Sequence, residues 1–409
     1  MINKQEQEIM KNWILTNESL VSIFCITYNH EKYIAEALDS FLMQETDFSF
    51  EILIHDDAST DNTAKIIRSY ENKYPSLIKP IYQTENQYSK GIEIHSTFNL
   101  PRAKGEYIAL CEGDDFWTDE RKLQYQIKKM KEYPECQMSF HPVKVIYNQR
   151  ISDTVQGRQA EDDKIFDIKE IIMGNGGFCP TPSLIIKKEV FDNIPAFFEN
   201  APVGDYYIQI FGSINGGALY IDKTMSAYRI HSGGVWTSMQ TDFSSRKKFA
   251  FKFLQSLEQM DGFFNYQHKD EIAFIKSQTF SDILGNKNFS IRDRVDLYKI
   301  CIHHISDNDQ TKWLDDLVKK FEQQNKTIKD KDKTIETQNS TIKDKASLLQ
   351  KTSQRANQIA SKEKTITGAI QNMIQYPILK HPVKKYKAYK KMLKIYYQVK
   401  ASNEISETS

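Results

Sequence analysis

Lys104-Gly105-Glu106-Tyr107-Ile108-Ala109-Leu110-Cys111-Glu112-Gly113-Asp114-Asp115-Phe116-Trp117 is the stretch that decides the fold. Tyr107 to Cys111 is a short apolar run bounded by glycines, the pattern of a buried strand. It ends in three acids around Gly113, then in two large aromatics. Carboxylates at the end of a buried strand are costly unless positive charge meets them. A divalent cation fits that need, because hard ions take oxygen ligands and adjacent carboxylates hold one beside a phosphate. Alone, most such strings are no more than a polar turn, since Gly and Asp are common turn residues.

Two more strands of the same kind shift the balance. Phe50-Glu51-Ile52-Leu53-Ile54-His55-Asp56-Asp57 also ends in paired acids, and Ser59, Thr60 or Asp61 can cap a following helix. Val21 to Ile26 is a third apolar strand, ending in Thr27-Tyr28-Asn29. Each is followed by a helical pattern: Tyr33, Ile34, Ala37, Leu38, Phe41 and Leu42 share one face after the first. Ile66, Ile67, Tyr70 and Tyr74 follow the second strand and stop at Pro75, while Leu123, Ile127 and Met130 follow the third. The alternation predicts an α/β domain with a mostly parallel sheet and right-handed crossovers. In such a sheet the carboxyl ends of the strands line one ligand crevice.

Thr27-Tyr28-Asn29, Asp56-Asp57-Ala58-Ser59-Thr60-Asp61 and Lys104-Gly105-Glu106-Tyr107 leading to Asp114-Asp115 together resemble the inverting family 2 glycosyltransferases. The resemblance covers about the first 240 residues. It implies the nucleotide-sugar-binding fold called GT-A, a nucleotide-diphosphate sugar donor (a UDP-sugar first), and Mn²⁺ or Mg²⁺. By the same resemblance Thr27, Tyr28 and Asn29 sit by the base, Asp57 accepts from the uracil ring N–H, and Asp114 holds the ribose. Asp115 is implied as the metal ligand. His231, in the Gly-rich stretch Arg229 to Trp236, is implied as a further ligand or a phosphate contact. Asp205 precedes a helix with Tyr207, Ile210, Phe211 and Ile214 on one face; as a residue it is an N-cap candidate, and the resemblance makes it the catalytic base. The family often writes Glu-Asp at that place, whereas Gly204 precedes the acid in this chain.

Other segments carry weaker signals. Gln83 to Phe98 resembles the family's connection across the nucleotide site. Met138 to Tyr147 suggests one strand, Gln149 to Lys164 a loop, and Leu184 to Ile186 and Ala218 to Ile221 further strands. The turn-rich stretch Gly174 to Ser183 reads as either an acceptor-shaping loop or an ordinary connection. The five cysteines are scattered without zinc-ligand spacing, so a reducing compartment is expected. The first twenty residues mix charged and apolar groups unlike a signal peptide, and no apolar stretch is long enough to span a bilayer. The expectation is a cytoplasmic enzyme, or one held at the inner face of the membrane.

Beyond the catalytic domain (1–240), residues 241–320 read as a helical extension. Leu314, Phe321, Ile328, Ile335, Ile342 and Leu349 recur every seven residues, a coiled-coil spacing that suggests a homo-oligomer through 314–349. Lys331, Gln338 and Lys345 weaken its second seam, so 321–375 reads as coiled coil or charged linker. In the basic tail, 376–409, eight lysines and no acid fall between Tyr376 and Lys400, on a chain of total charge +1. With interleaved tyrosines that tail suits an anionic membrane surface, and no nucleic-acid partner is expected. Two other functions fit the residues less well. A non-catalytic scaffold working through its coiled coil and tail leaves the acid pairs without a purpose. A receiver-type acid pocket at Asp56-Asp57 leaves Asp114-Asp115 unused.

Overall fold

The computed structural model describes residues 4–14, 18–147, 150–231, 234, 237, 241–286, 288–289, 293 and 297. The chain divides into two units, Met1–Leu314 and Asp315–Ser409, and every described residue lies in the first. The expected coiled coil, the basic tail and the end of the helical extension fall outside the described residues.

The chain begins with α1 (Glu6–Met10), β1 (Val21–Thr27), α2 (Ile34–Leu42), β2 (Phe50–Asp56), α3 (Thr63–Lys73) and β3 (Ile78–Tyr82). It continues through β4 (Tyr107–Leu110), β5 (Phe116–Trp117), α4 (Lys122–Glu132), β6 (Met138–Phe140), β7 (Val143–Tyr147), β8 (Arg150–Gln156) and β9 (Lys164–Phe166). Then come α5 (Ile168–Gly174), β10 (Ile185–Lys187), α6 (Gly204–Ser213), β11 (Ala218–Tyr220), β12 (Ser226–Ile230), and the helices Phe243–Phe263 and Lys269–Gly285. The main sheet runs β3-β2-β1-β4-β10-β6-β11-β9.

The first four neighbours are parallel, as the strand–helix alternation predicts. The whole sheet is mixed, however: β10 runs antiparallel to both β4 and β6, and β9 antiparallel to β11. The reversal comes before β10: β7 and β8 form an antiparallel hairpin, and β9 and β10, joined through α5, then run in one direction, against β11, β6 and β4. A second sheet, β5-β12-β7-β8, stands beside the first.

Side-chain alternation assigns the two faces. Ile23, Cys25, Ile52, Ile54, Ala109 and Cys111 pack with Leu38, Phe41, Ile67 and Ile127 of the helices α2, α3 and α4. Phe24, Leu53, Ile108 and Leu110 face the opposite way, onto α5, α6 and the two last helices through Ile172, Tyr207, Phe253 and Ile275. Period-2 burial on both faces makes each of these strands an unbroken apolar run. Gly105 is required by a close approach: a Cβ there would lie 2.4 Å from the backbone nitrogen of Ser22. That approach lets Gly105 N–H donate to Ser22 Oγ (2.9 Å) and Lys104 N–H to buried Glu51 (2.7 Å), which sets the start of β4 against β1.

The Met138–Tyr147 stretch is two strands in different sheets, separated at His141-Pro142, where proline removes a ladder donor. The polar Gln149–Lys164 segment holds β8, hairpinned on β7. Its side chains are almost all exposed, so it shows no apolar alternation by which a strand is read. The helices Phe243–Phe263 and Lys269–Gly285 share the second core, with Phe249, Phe253, Leu257 and Met260 buried against α6 residues.

One buried charge stands out behind the acid-bearing loop. The Lys122 amine is fully buried, has no hydrogen-bond partner among the described residues, and lies 4.3 Å over the Trp117 ring. Burial pushes its pKa down to about 7. A lysine whose folded pKa lies below its unfolded one costs stability most below the folded value, and the cost fades as pH approaches the unfolded value. Lys122→Met is therefore expected to stabilise the fold by about 1–3 kcal/mol near pH 7 and by less near pH 10. Melting curves at the two pH values check this; equal or lower stability at pH 7 would refute it.

Candidate active site

The carboxyl ends of β1, β2 and β4 open at one edge of the sheet. After β1 the backbone turns through Asn29 at φ 56°, a left-handed conformation that Asn tolerates. Asn29 Oδ1 accepts from Thr60 N (2.8 Å), and its own N–H donates to Ser59 Oγ (2.9 Å). Asp61 accepts from Thr63 N (2.9 Å) at the start of α3 and from Glu31 N (3.1 Å). The polar string after β2 thus ties two strand-end loops together as well as starting a helix. Tyr28 is exposed, while the Thr27 hydroxyl is buried without a partner among the described residues.

Asp57 is buried and anchors the segment that follows β3. Its carboxylate accepts from Gln87 N (2.7 Å) and Tyr88 N (3.0 Å), and His55 Nε2 lies 3.3 Å from Oδ1. Arg102 closes the far end of that segment by donating to Ile54 O (2.9 Å) and Lys79 O (2.6 Å). The connection across the site is therefore pinned at both ends to β2.

Beyond β4, Gly113 lets the acid loop press on the first loop: a Cβ there would lie 2.7 Å from Thr27 Oγ1 and 3.1 Å from His30 Nδ1. Asp114 Oδ2 lies 3.0 Å from His231 Nε2 and 3.7 Å from His30 Nε2. One ligand atom from each of His30, Asp114 and His231 falls within 4.8 Å of the others. Burial raises the Asp114 carboxyl, but the His231 hydrogen bond and the two imidazoles pull it below its ordinary range. Burial also lowers the His30 pKa, so its ring is neutral and able to ligate.

Asp115 faces the other way and is 1% exposed. Its Oδ1 accepts from Arg229 N (2.7 Å) on β12, and its Oδ2 has no partner among the described residues. Arg229 also donates to Asp114 O and to Glu36 Oε2 (2.7 Å), and its guanidinium lies 4.7 Å over Tyr33. This pairing carries His231, one residue past β12, to Asp114.

Asp205 is the second residue of α6; the N-cap is Val203, which makes no side-chain capping bond. Asp205 Oδ1 accepts from Tyr206 N (2.8 Å) and Oδ2 from Thr181 Oγ1 (3.0 Å). Burial raises its pKa against both bonds. Burial first, then the charges of Asp114 and Asp205, push the Glu112 pKa up to about 8.

The sequence reading gives no role to His30 or to the Arg229–Glu36 pair; it holds Glu112 only as one of the three acids around Gly113, and Thr181 only within the turn-rich stretch Gly174 to Ser183. His30 follows Asn29 directly, so its place at a strand end is a usable signal. Of the stretch Arg229 to Trp236, residues 232–233 and 235–236 lie outside the described residues.

This architecture is an α/β domain with a mixed sheet flanked by helices and an acid- and histidine-lined crevice at its strand ends. Residues 22–194 match the family model described as Glycosyl transferase family 2. An uncharacterized protein of Mycobacterium tuberculosis is 39% identical over 232 residues, 56% of this chain and 63% of that protein. An uncharacterized glycosyltransferase of Nostoc is 29% identical over 223 residues, 52% of this chain and 65% of its own length. The chain thus spans less than two thirds of either relative. The poly(ribitol-phosphate) beta-N-acetylglucosaminyltransferase TarS of Staphylococcus aureus is 36% identical over 100 residues, 24% of this chain and 17% of that enzyme. A crystal structure of a TarS fragment with UDP-GlcNAc superposes at TM-score 0.49 with 20% identity, over 71% of this chain and 83% of the fragment. No helix among the described residues is long and apolar enough to cross a membrane.

Proposed function

We propose that the chain is an inverting, GT-A-type glycosyltransferase that moves a sugar from a UDP-sugar to a hydroxyl acceptor in surface polysaccharide or glycoconjugate synthesis. The observation that carries this reading is the convergence of His30, Asp114 and His231 at the strand ends, together with Asp205, whose carboxylate is held by Thr181 and by Tyr206 N. The name of the staphylococcal relative supports transfer onto a surface polymer.

In this reading Thr27, Tyr28 and Asn29 border the base, and Asp57 accepts from the uracil N–H with lone pairs left over from its loop bonds. His30, Asp114 and His231 fit a divalent cation, because two imidazole nitrogens and a carboxylate oxygen converge at one place. Mn²⁺ or Mg²⁺ held there would neutralise the departing diphosphate. In this reading Asp114, beside His231, would be the carboxylate ligand in place of the expected Asp115, whose carboxylate accepts from Arg229 N on β12. Asp205 takes the acceptor proton as its oxygen attacks the anomeric carbon from the opposite face. A burial-raised carboxyl suits that task, because a base works best with a pKa near the operating pH.

The test is a panel of UDP-glucose, UDP-galactose, UDP-N-acetylglucosamine and GDP-mannose, each assayed for hydrolysis with Mn²⁺ and with chelator. The expected result is Mn²⁺-dependent release of UDP from at least one donor. Isothermal titration showing no UDP binding, with no turnover of any donor, would instead favour the scaffold reading.

A further inference from the structure

Asp205 is positioned from outside its own helix. The 3-10 turn Thr181–Ser183 sits between α6, the acid loop and β12, and is braced from every side. Pro182 O accepts from Trp117 Nε1 (3.0 Å), just beyond the acids, and from Ser226 Oγ (2.8 Å) at the start of β12. Ser183 O accepts from Gln126 Nε2 (2.9 Å) of α4, and Cys179 O from Gln209 Nε2 (3.0 Å) of α6. Ser183 Oγ and N both close back onto Pro180 O, so the turn needs nothing from Thr181 Oγ1. That hydroxyl points outward and donates to Asp205 Oδ2 at 3.0 Å.

We infer that Thr181 is the positioning residue for the catalytic base: its hydroxyl fixes the Asp205 carboxylate rotamer relative to the acid loop and stabilises the ionised form. The inference rests on the reading of Asp205 as base. The turn that carries Thr181 also touches β5 and β12, whose flanks supply Asp114 and His231, so one rigid piece sets the spacing between leaving group and base. A hydrogen bond from a neutral hydroxyl to a carboxylate favours the charged form. It therefore opposes the burial that raises Asp205. The other titratable groups in its field are Glu112 beyond β4, Tyr88 on the crossing segment, Cys179 before the turn and Tyr228 on β12. Glu93 Oε1 lies beside Gly204, 3.5 Å from where a Cβ would stand. None of these is altered by changing Thr181.

The experiment compares Thr181→Val, Thr181→Ser and Asp205→Asn in the full chain, with hydrolysis of UDP-N-acetylglucosamine or the best donor of the panel, at saturating Mn²⁺ from pH 5 to 9. Thr181→Val keeps the shape and loses the hydroxyl. It is expected to lower kcat by about tenfold, part of the roughly 10²–10⁴ that a general base supplies, with KM for donor unchanged. Its acid limb should move to higher pH, because Asp205 must lose its proton without the hydroxyl's help. Thr181→Ser should restore both rate and limb. A parental rate and pH profile for Thr181→Val, beside an inactive Asp205→Asn, overturns the positioning role and leaves the base reading standing. An active Asp205→Asn overturns both. Should Thr181→Val not fold, Thr181→Ala is read in the same way.

Discussion

Asp205→Asn is expected to slow sugar transfer by at least about a hundredfold while UDP affinity stays parental, because a lost general base costs roughly 10²–10⁴-fold in rate. Two roles compete for this residue. As a cap it would serve the helix, but the N-cap of α6 is Val203 and Asp205 lies inside the first turn. Its carboxylate accepts from Tyr206 N and Thr181 Oγ1. An amide keeps one acceptor oxygen for Tyr206, and its NH₂ can donate to a Thr181 hydroxyl that rotates to receive it. The lost first-turn charge costs at most about 1 kcal/mol of helix-dipole stabilisation. The variant should therefore melt close to the parent. The parent's kcat/KM should fall on its acid side above the ordinary carboxylate range, since burial raises Asp205, and that limb should vanish in the variant. Transfer within a fewfold of the parent would make Asp205 structural. Glu112 would then be the acid to replace next, because it shares the same field.

What the residues revealed before any coordinates were known follows from which forces are local. Buried strands with hydrophobic alternation on both faces announce themselves, so β1, β2 and β4 and their polar ends were legible. So were the helices α2, α3 and α4 between them, whose apolar stripes had to meet the sheet. Strand direction was legible where a helix forced a crossover between neighbouring strands; β10 inserts between β4 and β6 and against both, and that pairing had no local cause to read. The β8 strand was hidden because both of its faces meet solvent. In the site, chain order placed Asp57, Asp114, Asp115 and Asp205 at element ends. Which of two adjacent carboxylates turns toward the histidines is a matter of side-chain direction at the end of a strand. It is decided by Arg229, which reaches Asp115 from β12. His30 stands at a strand end directly after Asn29, whereas the Thr181–Asp205 bond joins residues distant in sequence and leaves no spacing to detect.

The second large effect separates those two neighbouring acids. Asp114→Asn should lower turnover by a factor on the order of 10²–10³, the several kcal/mol that neutralising a leaving diphosphate supplies. It should also remove the Mn²⁺ dependence of UDP binding, because Asp114 is the carboxylate that stands with His30 and His231. Asp115→Asn should act differently. Asp115 is buried, and Oδ1 receives the Arg229 N–H. Burial, then Asp114 and Glu112, raise its pKa above the usual range. The variant's amide oxygen can keep the Arg229 bond, so UDP binding should retain a parental response to Mn²⁺ and turnover should fall far less. Isothermal titration of UDP into each variant, with Mn²⁺ and with chelator, reads the difference directly. His231→Ala should resemble Asp114→Asn in that titration, since the two side chains meet at 3.0 Å. The reverse pattern, with Asp115→Asn losing the Mn²⁺ response and Asp114→Asn keeping it, would return the cation to Asp115. The histidines would then be left with the phosphates alone.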